Sequence, residues 1–229
     1  MSAEVVLGAD GVARCPWGAS TPEYQRYHDD EWGRPVHGDV AIFERLTLEA
    51  FQSGLSWLTI LRKRESFRAA FHGFEIELVA AYDDADRARL IADAGIVRNR
   101  AKVEAAITNA RAAAGLRADE GAGALDRLFW SFAPPARDAR PLRLADIAAS
   151  TPESAALAKA LKRRGFVFVG PTTMYAAMQA MGLVDDHLRG CSAATPGPRP
   201  GGSSAVRAGN PAVGGAEVRA ATGIRDNGR

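Results

Sequence analysis

Both cysteines of this chain and two of its four histidines fall into two pairs at opposite ends of the sequence. Cys15 and His28 are separated by twelve residues, and His187 and Cys191, much later in the chain, by three. Two thiolates and two imidazoles complete a tetrahedral shell for zinc, whose borderline-soft character suits both donor types. The His-x₃-Cys half fits one helical turn, because residues four apart share a helix face. The long gap excludes a zinc finger, in which all four ligands fall within one short unit. The spacing points to one structural Zn²⁺ that ties the N-terminal segment to the far end of a larger domain. The competing reading is a pair of buried apolar cysteines beside two unrelated histidines, a common fate of free Cys.

A second group of residues is aromatic. Trp17, Tyr24, Tyr27 and Trp32 crowd the segment around His28, and Trp57 follows Glu49 by eight residues, although aromatic residues make up only 7% of the chain. Tyr24 and Tyr27 would share a helix face, as would Glu49 with Gln52 or Ser53. A carboxylate among several rings suits a flat, cationic heterocycle, which the rings stack on while the carboxylate accepts from an amino group. Taken singly, Trp17 and Trp57 read as core filler and Glu49 as a solvated helix residue. A third group is the glycine-bounded stretch Gly165–Gly170 before Pro171. Glycines let the backbone approach a partner closely, and the amides opening the next helix form an anion site suited to one DNA phosphate. An ordinary helical corner has the same composition.

The elements that must hold these residues are helices. Asp39 is placed to cap a helix carrying Ile42, Phe43, Leu46 and Ala50, and Ser56 the next one. Further helices fall near 84–93 and from about Asn99 to Ala114, with shorter pieces at 123–132 and 142–149. Thr151-Pro152-Glu153 marks a helix start, and Lys162-Arg163-Arg164-Gly165 its end. Phe166–Val169 has no partner strand and reads as a buried hairpin between that helix and one running from Pro171 to Gly182. The expectation is an all-α domain over residues 14–191.

The flanks differ from it. Residues 1–13 read as a flexible N-terminus. Residues 192–229 hold eight glycines, four prolines and no aromatic residue, so they read as a disordered tail. Five arginines against Glu217 and Asp226 give that tail a local charge of +3, which leaves the rest near neutral within a total of +2. Polyanion binding must then come from local clusters: Arg62-Lys63-Arg64, Arg98/Arg100/Lys102 and Lys162-Arg163-Arg164, each of which could equally be a solvated face. Two cysteines do not make a disulfide scaffold. The opening residues lack the apolar core of a signal peptide, and no apolar run approaches a membrane span. A soluble, cytoplasmic protein with no membrane partner is expected.

The segments CPWGASTPEYQRYHDDEWGRP, LEAFQSGLSWLTILRKRESFRAAF, DAGIVRNRAKVEAAITNAR, FWSF and LKRRGFVFVGPTTMYAAMQAMGLVDDHLRGC, in this order, resemble the DNA-3-methyladenine glycosylase I family over about residues 14–191. YHDDEWG and GLSW are specific to it. The resemblance implies the all-helical helix–hairpin–helix DNA glycosylase fold and a zinc site of Cys15, His28, His187 and Cys191. It implies a base pocket of Glu49, Tyr27 and Trp57, with Trp17, Tyr24 and Trp32 around it. It further implies hydrolysis of the N-glycosidic bond of 3-methyladenine in alkylated double-stranded DNA, with free 3-methyladenine as product, by a monomer.

Two departures stand out. Asn99 and Ala101 occupy positions where relatives often carry other residues, and Asp185 stands where relatives usually have Asn. Asp185 reads as a hydrogen-bonding substitution, although other glycosylases of the superfamily place a catalytic Asp in a comparable stretch. On the DNA side, Leu55 is the apolar wedge expected to fill the gap left by a flipped base, with Gly165, Gly170 and Thr172 at the backbone. Thr172 and Thr173 stand where a bifunctional lyase would need a lysine nucleophile, so a monofunctional enzyme is expected. Two other classes fit parts of the pattern. A non-catalytic zinc-stabilised DNA-binding module needs no Glu49 beside rings, and a zinc hydrolase needs an open metal position that four protein ligands would close.

Overall fold

A computed structural model describes residues 4–137 and 139–193. Among them the α-helices are α1 (Pro22–Asp30), α2 (Asp39–Gln52), α3 (Trp57–Ala70), α4 (Ile76–Ala80), α5 (Asp84–Ala92), α6 (Arg100–Glu120), α7 (Ala124–Trp130), α8 (Pro152–Arg163) and α9 (Pro171–Ala180). Before them, β1 (Val6–Leu7) pairs antiparallel with β2 (Ala13–Arg14), Val6 opposite Arg14. The segment expected to be a loose terminus thus carries a short ribbon, and Glu4 N–H donates to Leu142 O at 2.8 Å. From residue 194 onward the expected tail lies outside the described residues.

Local chemistry accounts for most helix starts. Thr21 caps α1 with Pro22 behind it, Ser56 Oγ accepts from Thr59 N–H to cap α3, and Thr151 and Ser154 close a capping box at α8. Asp83 and Asp86 form another box at α5. Asn99 caps α6 by accepting from Lys102 N–H at 3.1 Å, which gives that departure a structural role. The long helix α6 is the axis of the core. Its stripe of Val103, Ala106, Ile107, Ala110 and Ala113 is buried, and α2 packs Ile42, Phe43, Leu46 and Phe51 into the same cluster. Small residues on α6 let α4 and α7 lie close, while α8 and α9 pack on each other.

Several expectations are corrected. Gly38 caps α2, and Asp39 is its first residue. The Asp39 carboxylate, 7% exposed, instead accepts from Gly123 N–H at 2.8 Å and Asp126 N–H at 3.0 Å, so it caps α7. Asp126 in turn accepts from Gly38 N–H at 2.7 Å. Each helix start thereby receives an acceptor from the other, which satisfies orphan donors that neither sequence could cap locally. Helix α6 runs on past Ala114 to Glu120, and the piece expected at 142–149 is a single 3₁₀ turn, Leu144–Asp146. The stretch Phe166–Val169 is buried only at its ends: Val167 and Phe168 are 39% and 42% exposed.

Removing the Asp39 acceptor leaves two part-buried amides and Arg117 without it. Asp39→Ala is expected to lower stability by about 1–3 kcal/mol and Asp39→Asn by less, as read from urea denaturation midpoints.

Candidate active site and metal centre

The four Cys and His residues meet. Cys15, His28, His187 and Cys191 are all buried, and one donor atom from each lies within 4.8 Å of the others. Cys191 Sγ is 3.4 Å from His28 Nε2 and 3.5 Å from His187 Nδ1, and Cys15 Sγ is 3.9 Å from His187 Nδ1. Bonds of about 2.0–2.3 Å to a tetrahedral zinc put neighbouring donor atoms roughly 3.3–3.8 Å apart, so the set fits that ion. The remaining ring nitrogens are engaged as an outer shell requires: His28 Nδ1 with Asp29 Oδ1 at 2.8 Å, and His187 Nε2 with Trp32 O at 3.2 Å. That arrangement turns Nε2 of His28 and Nδ1 of His187 toward the thiols. Asp29 is itself held by Arg14. Gly18 passes so close that a Cβ there would lie 2.5 Å from the His28 ring, so no larger residue fits.

Beside this cluster opens a cavity of about 250 Å³ lined by Trp17, Tyr24, Tyr27, Trp32, Glu49, Gln52, Trp57, Ala176 and Gln179. All six residues read as the base pocket line it. Helix α1 supplies Tyr24 and Tyr27, α2 supplies Glu49 and Gln52, α3 begins with Trp57, and α9 contributes Ala176 and Gln179. Tyr27 and Trp57 have ring centroids 5.4 Å apart, and Trp17 meets Trp32 edge-on at 5.0 Å. Tyr24 Oη accepts from Leu58 N–H at 3.0 Å, which fixes the start of α3 against α1.

The electrostatics centre on Glu49. It is 5% exposed, and among the described residues nothing donates a hydrogen bond to its carboxylate. Burial pushes its pKa from the ordinary 4.5 up to about 8, opposed by the Arg45 charge one turn away. Arg45 cannot fully compensate, because its Nη2 is committed to Glu31 at 2.8 Å, and Glu31 also holds Arg64. The Tyr27 hydroxyl is pushed well above its usual range, first by burial and then by Glu49. Trp57 Nε1 is buried with no partner. The cavity thus presents an unmatched acceptor between aromatic walls.

Other expected residues lie elsewhere. Leu55, 39% exposed, stands in the turn between α2 and α3. Gly170 caps α9 at φ −72°, and Phe168, a non-glycine residue of the α8–α9 connection, is left-handed at φ +57°. Gly165, at φ +86°, is exposed, as is Thr172 in the first turn of α9. Asp185 does not line the cavity; it pairs with Arg140 at 2.8 Å and accepts from His187 N–H. Of the basic clusters, Arg62, Lys63 and Arg64 are bound to Glu23, to Ala94 and Gly95 carbonyls, and to Glu31. Lys102 is buried and Arg164 pairs with Glu120, while Arg98 and Arg100 are exposed. Sequence reading missed Gln179, a polar residue one turn after Tyr175 on an otherwise apolar helix face, which was its available signal.

A group whose folded pKa is raised stabilises the fold fully below its unfolded value, and that contribution is lost as pH rises through the folded value. For Glu49 the window runs from about 4.5 to about 8. The melting temperature of the wild type should therefore fall relative to Glu49→Gln as pH rises across that window, in the absence of ligand. Parallel melting curves would show a carboxylate that is solvated or paired.

A family model described as methyladenine glycosylase matches residues 17–194. DNA-3-methyladenine glycosylase 1 of Escherichia coli (strain K12) is 46% identical over 183 residues, 79% of this chain and 96% of that protein. Two solved structures of 3-methyladenine DNA glycosylase I are each 34% identical, cover 80% of this chain and 98% of theirs, and have a TM-score of 0.74. One is a glutamate-to-glutamine mutant from Staphylococcus aureus, and the other a tyrosine-to-phenylalanine form in complex with 3-methyladenine. By position, the tyrosine and glutamate altered there are spaced as Tyr27 and Glu49 are here. With the family match spanning most of the chain and this identity over almost the whole of a relative, the protein belongs to the methyladenine glycosylase family.

Proposed function

We propose that this protein hydrolyses the N-glycosidic bond of 3-methyladenine in alkylated duplex DNA, releasing the free base and leaving an abasic site. The observation that carries the reading is Glu49: a buried carboxylate without a donor, facing a cavity walled by rings. Such a group is costly alone and becomes favourable when a flat cation enters. Alkylation at N3 places positive charge on adenine and weakens its bond to the sugar. The protein must then extrude the nucleotide, hold the charged base and admit water to the sugar carbon. Glu49 accepts from the amino edge of the base and Trp57 stacks on it. Tyr27, whose hydroxyl stays protonated, completes the polar contacts. A neutral adenine brings no charge for Glu49 to meet, so the same residue discriminates against undamaged DNA.

The surface around the cavity supports a duplex partner. Leu55 is exposed where an apolar wedge could enter the stack, and Gly170 and Thr172 open α9, where backbone amides and the helix dipole favour a phosphate. A Cβ at Gly170 would meet open space, so glycine there is not demanded by packing within the chain and leaves room for a partner's close approach. No lysine lines the cavity, which favours a monofunctional glycosylase over a lyase. Cys15, His28, His187 and Cys191 would hold one zinc, supplying cross-linking and no open coordination position.

Glu49→Gln is expected to slow 3-methyladenine release from alkylated duplex roughly ten- to a hundredfold, the scale of one charged hydrogen bond, while affinity for undamaged duplex is kept. Base release resolved by chromatography, beside plain-duplex binding, checks this; equal release rates would dismiss the role of Glu49. Elemental analysis should find one zinc per chain, and His187→Ala should lose both the metal and much of the folding free energy, since binding and folding are coupled. A folded, active preparation without zinc would dismiss the metal.

A further inference from the structure

Lys102 is the least expected cation in the fold. It lies in the first turn of α6, is 8% exposed, and has only burial acting on its titration, with no carboxylate counter-charge. Its ammonium donates to Phe51 O at 2.8 Å and Ser53 O at 2.5 Å. Those carbonyls end α2, where an α-helix leaves acceptors without intrahelical partners. A cation at that end satisfies them and meets the negative pole of the dipole. The turn that follows contains Gly54 at φ +79° and Leu55. Gln52, a wall of the cavity, closes it by donating from Nε2 to Leu55 O at 3.0 Å, and Leu55 N–H donates to Gln52 O at 2.7 Å.

Seven residues on along α6, and so on the same face two turns later, Asn109 does the same for the other exposed turn. It is 1% exposed, donates to Val167 O at 3.0 Å and accepts from Val167 N–H at 2.8 Å, beside exposed Phe168. One helix face therefore holds both apolar turns that project from the fold near α2 and α9.

We propose that Lys102 is a positioning residue for base extrusion: it fixes the Gln52–Leu55 turn so that Leu55 enters the duplex while Gln52 and Glu49 face the extruded base. The ammonium acts through the turn and touches neither base nor DNA. This rests on the reading of Leu55 as the wedge of a 3-methyladenine glycosylase. Lys102→Met keeps the aliphatic stem and removes the donors, freeing the end of α2. Free 3-methyladenine does not need the wedge, so its binding should survive, whereas extraction from a duplex should suffer.

The experiment compares full-length wild type, Lys102→Met, Leu55→Ala and the double variant. For each, kcat/KM for release of 3-methyladenine from alkylated duplex is measured beside affinity for the free base by tryptophan fluorescence. Lys102→Met is expected to lose about tenfold or more in duplex kcat/KM, the scale of a lost charge-assisted hydrogen bond. It should keep free-base affinity within about twofold, and the double variant should be no slower than the slower single one, because residues acting as a unit are not additive. Gly54→Ala strains the same turn at its positive φ without touching the ammonium. It should reproduce the split and decides the matter if Lys102→Met does not fold. Loss of free-base affinity in step with excision, or additive losses in the double variant, would make Lys102 an ordinary core residue and overturn the proposal. If Leu55→Ala is slow but Lys102→Met and Gly54→Ala excise as wild type does, the positioning role falls and the wedge stands. If Leu55→Ala excises as wild type does, the wedge reading itself falls and takes this proposal with it.

Discussion

The convergence of the segments 15–28 and 187–191 on one buried Cys₂His₂ cluster is the constraint on which the site depends. Trp17 and Trp32 lie on either side of His28 in sequence, and their rings pack against the cluster: Trp17 on His28 at 5.0 Å and Trp32 on His187 at 4.7 Å. The same two rings wall the cavity. Trp32 is tied twice, since its carbonyl also meets the outer nitrogen of His187. The cluster and the pocket therefore share a wall. A metal there would act on chemistry only through rigidity, by holding aromatic faces that lie outside the α-helices.

In the same cavity the fold carries a group that destabilises the protein. Burying Glu49 without a donor raises its pKa and costs folding free energy once it ionises. The nearby guanidinium of Arg45 is diverted to Glu31, so the site is left short of positive charge. Local instability of this kind is what a cation-selective pocket requires, because a pocket already satisfied gains nothing from its ligand. Selectivity for a charged base then follows from electrostatics, with shape and stacking common to damaged and undamaged adenine.

The core and the exposed turns are organised by α6. Its apolar stripe builds the core, and its two buried polar residues, Lys102 and Asn109, reach out of that core to hold the turns bearing Leu55 and Val167. Exposed apolar turns are entropically costly to keep in one shape. Anchoring them to the longest helix of the described residues makes their spacing a property of the scaffold.

The sequence by itself determined whatever depends on neighbours along the chain. Helix starts at Thr21, Ser56, Asn99 and Thr151 follow from short side chains that cap locally, and the stripes of α2 and α6 follow from helical period. The zinc-type donor set and the aromatic crowding around Glu49 were legible as residue types whose chemistry fits one partner each. Tertiary structure alone decided where polar groups find partners across the fold. Asp39 reads as a cap for its own helix and serves α7 instead, because the free amides of Gly123 and Asp126 lie within its reach. Lys102 reads as part of a basic cluster and is a buried bond to the end of α2, and Gln179, which carries no signal of its own beyond its polarity, lines the pocket. Hydrogen bonds between distant segments leave no periodic trace in a sequence; only the packing that brings donor and acceptor within about 3 Å selects which polar residue is surface and which is structure.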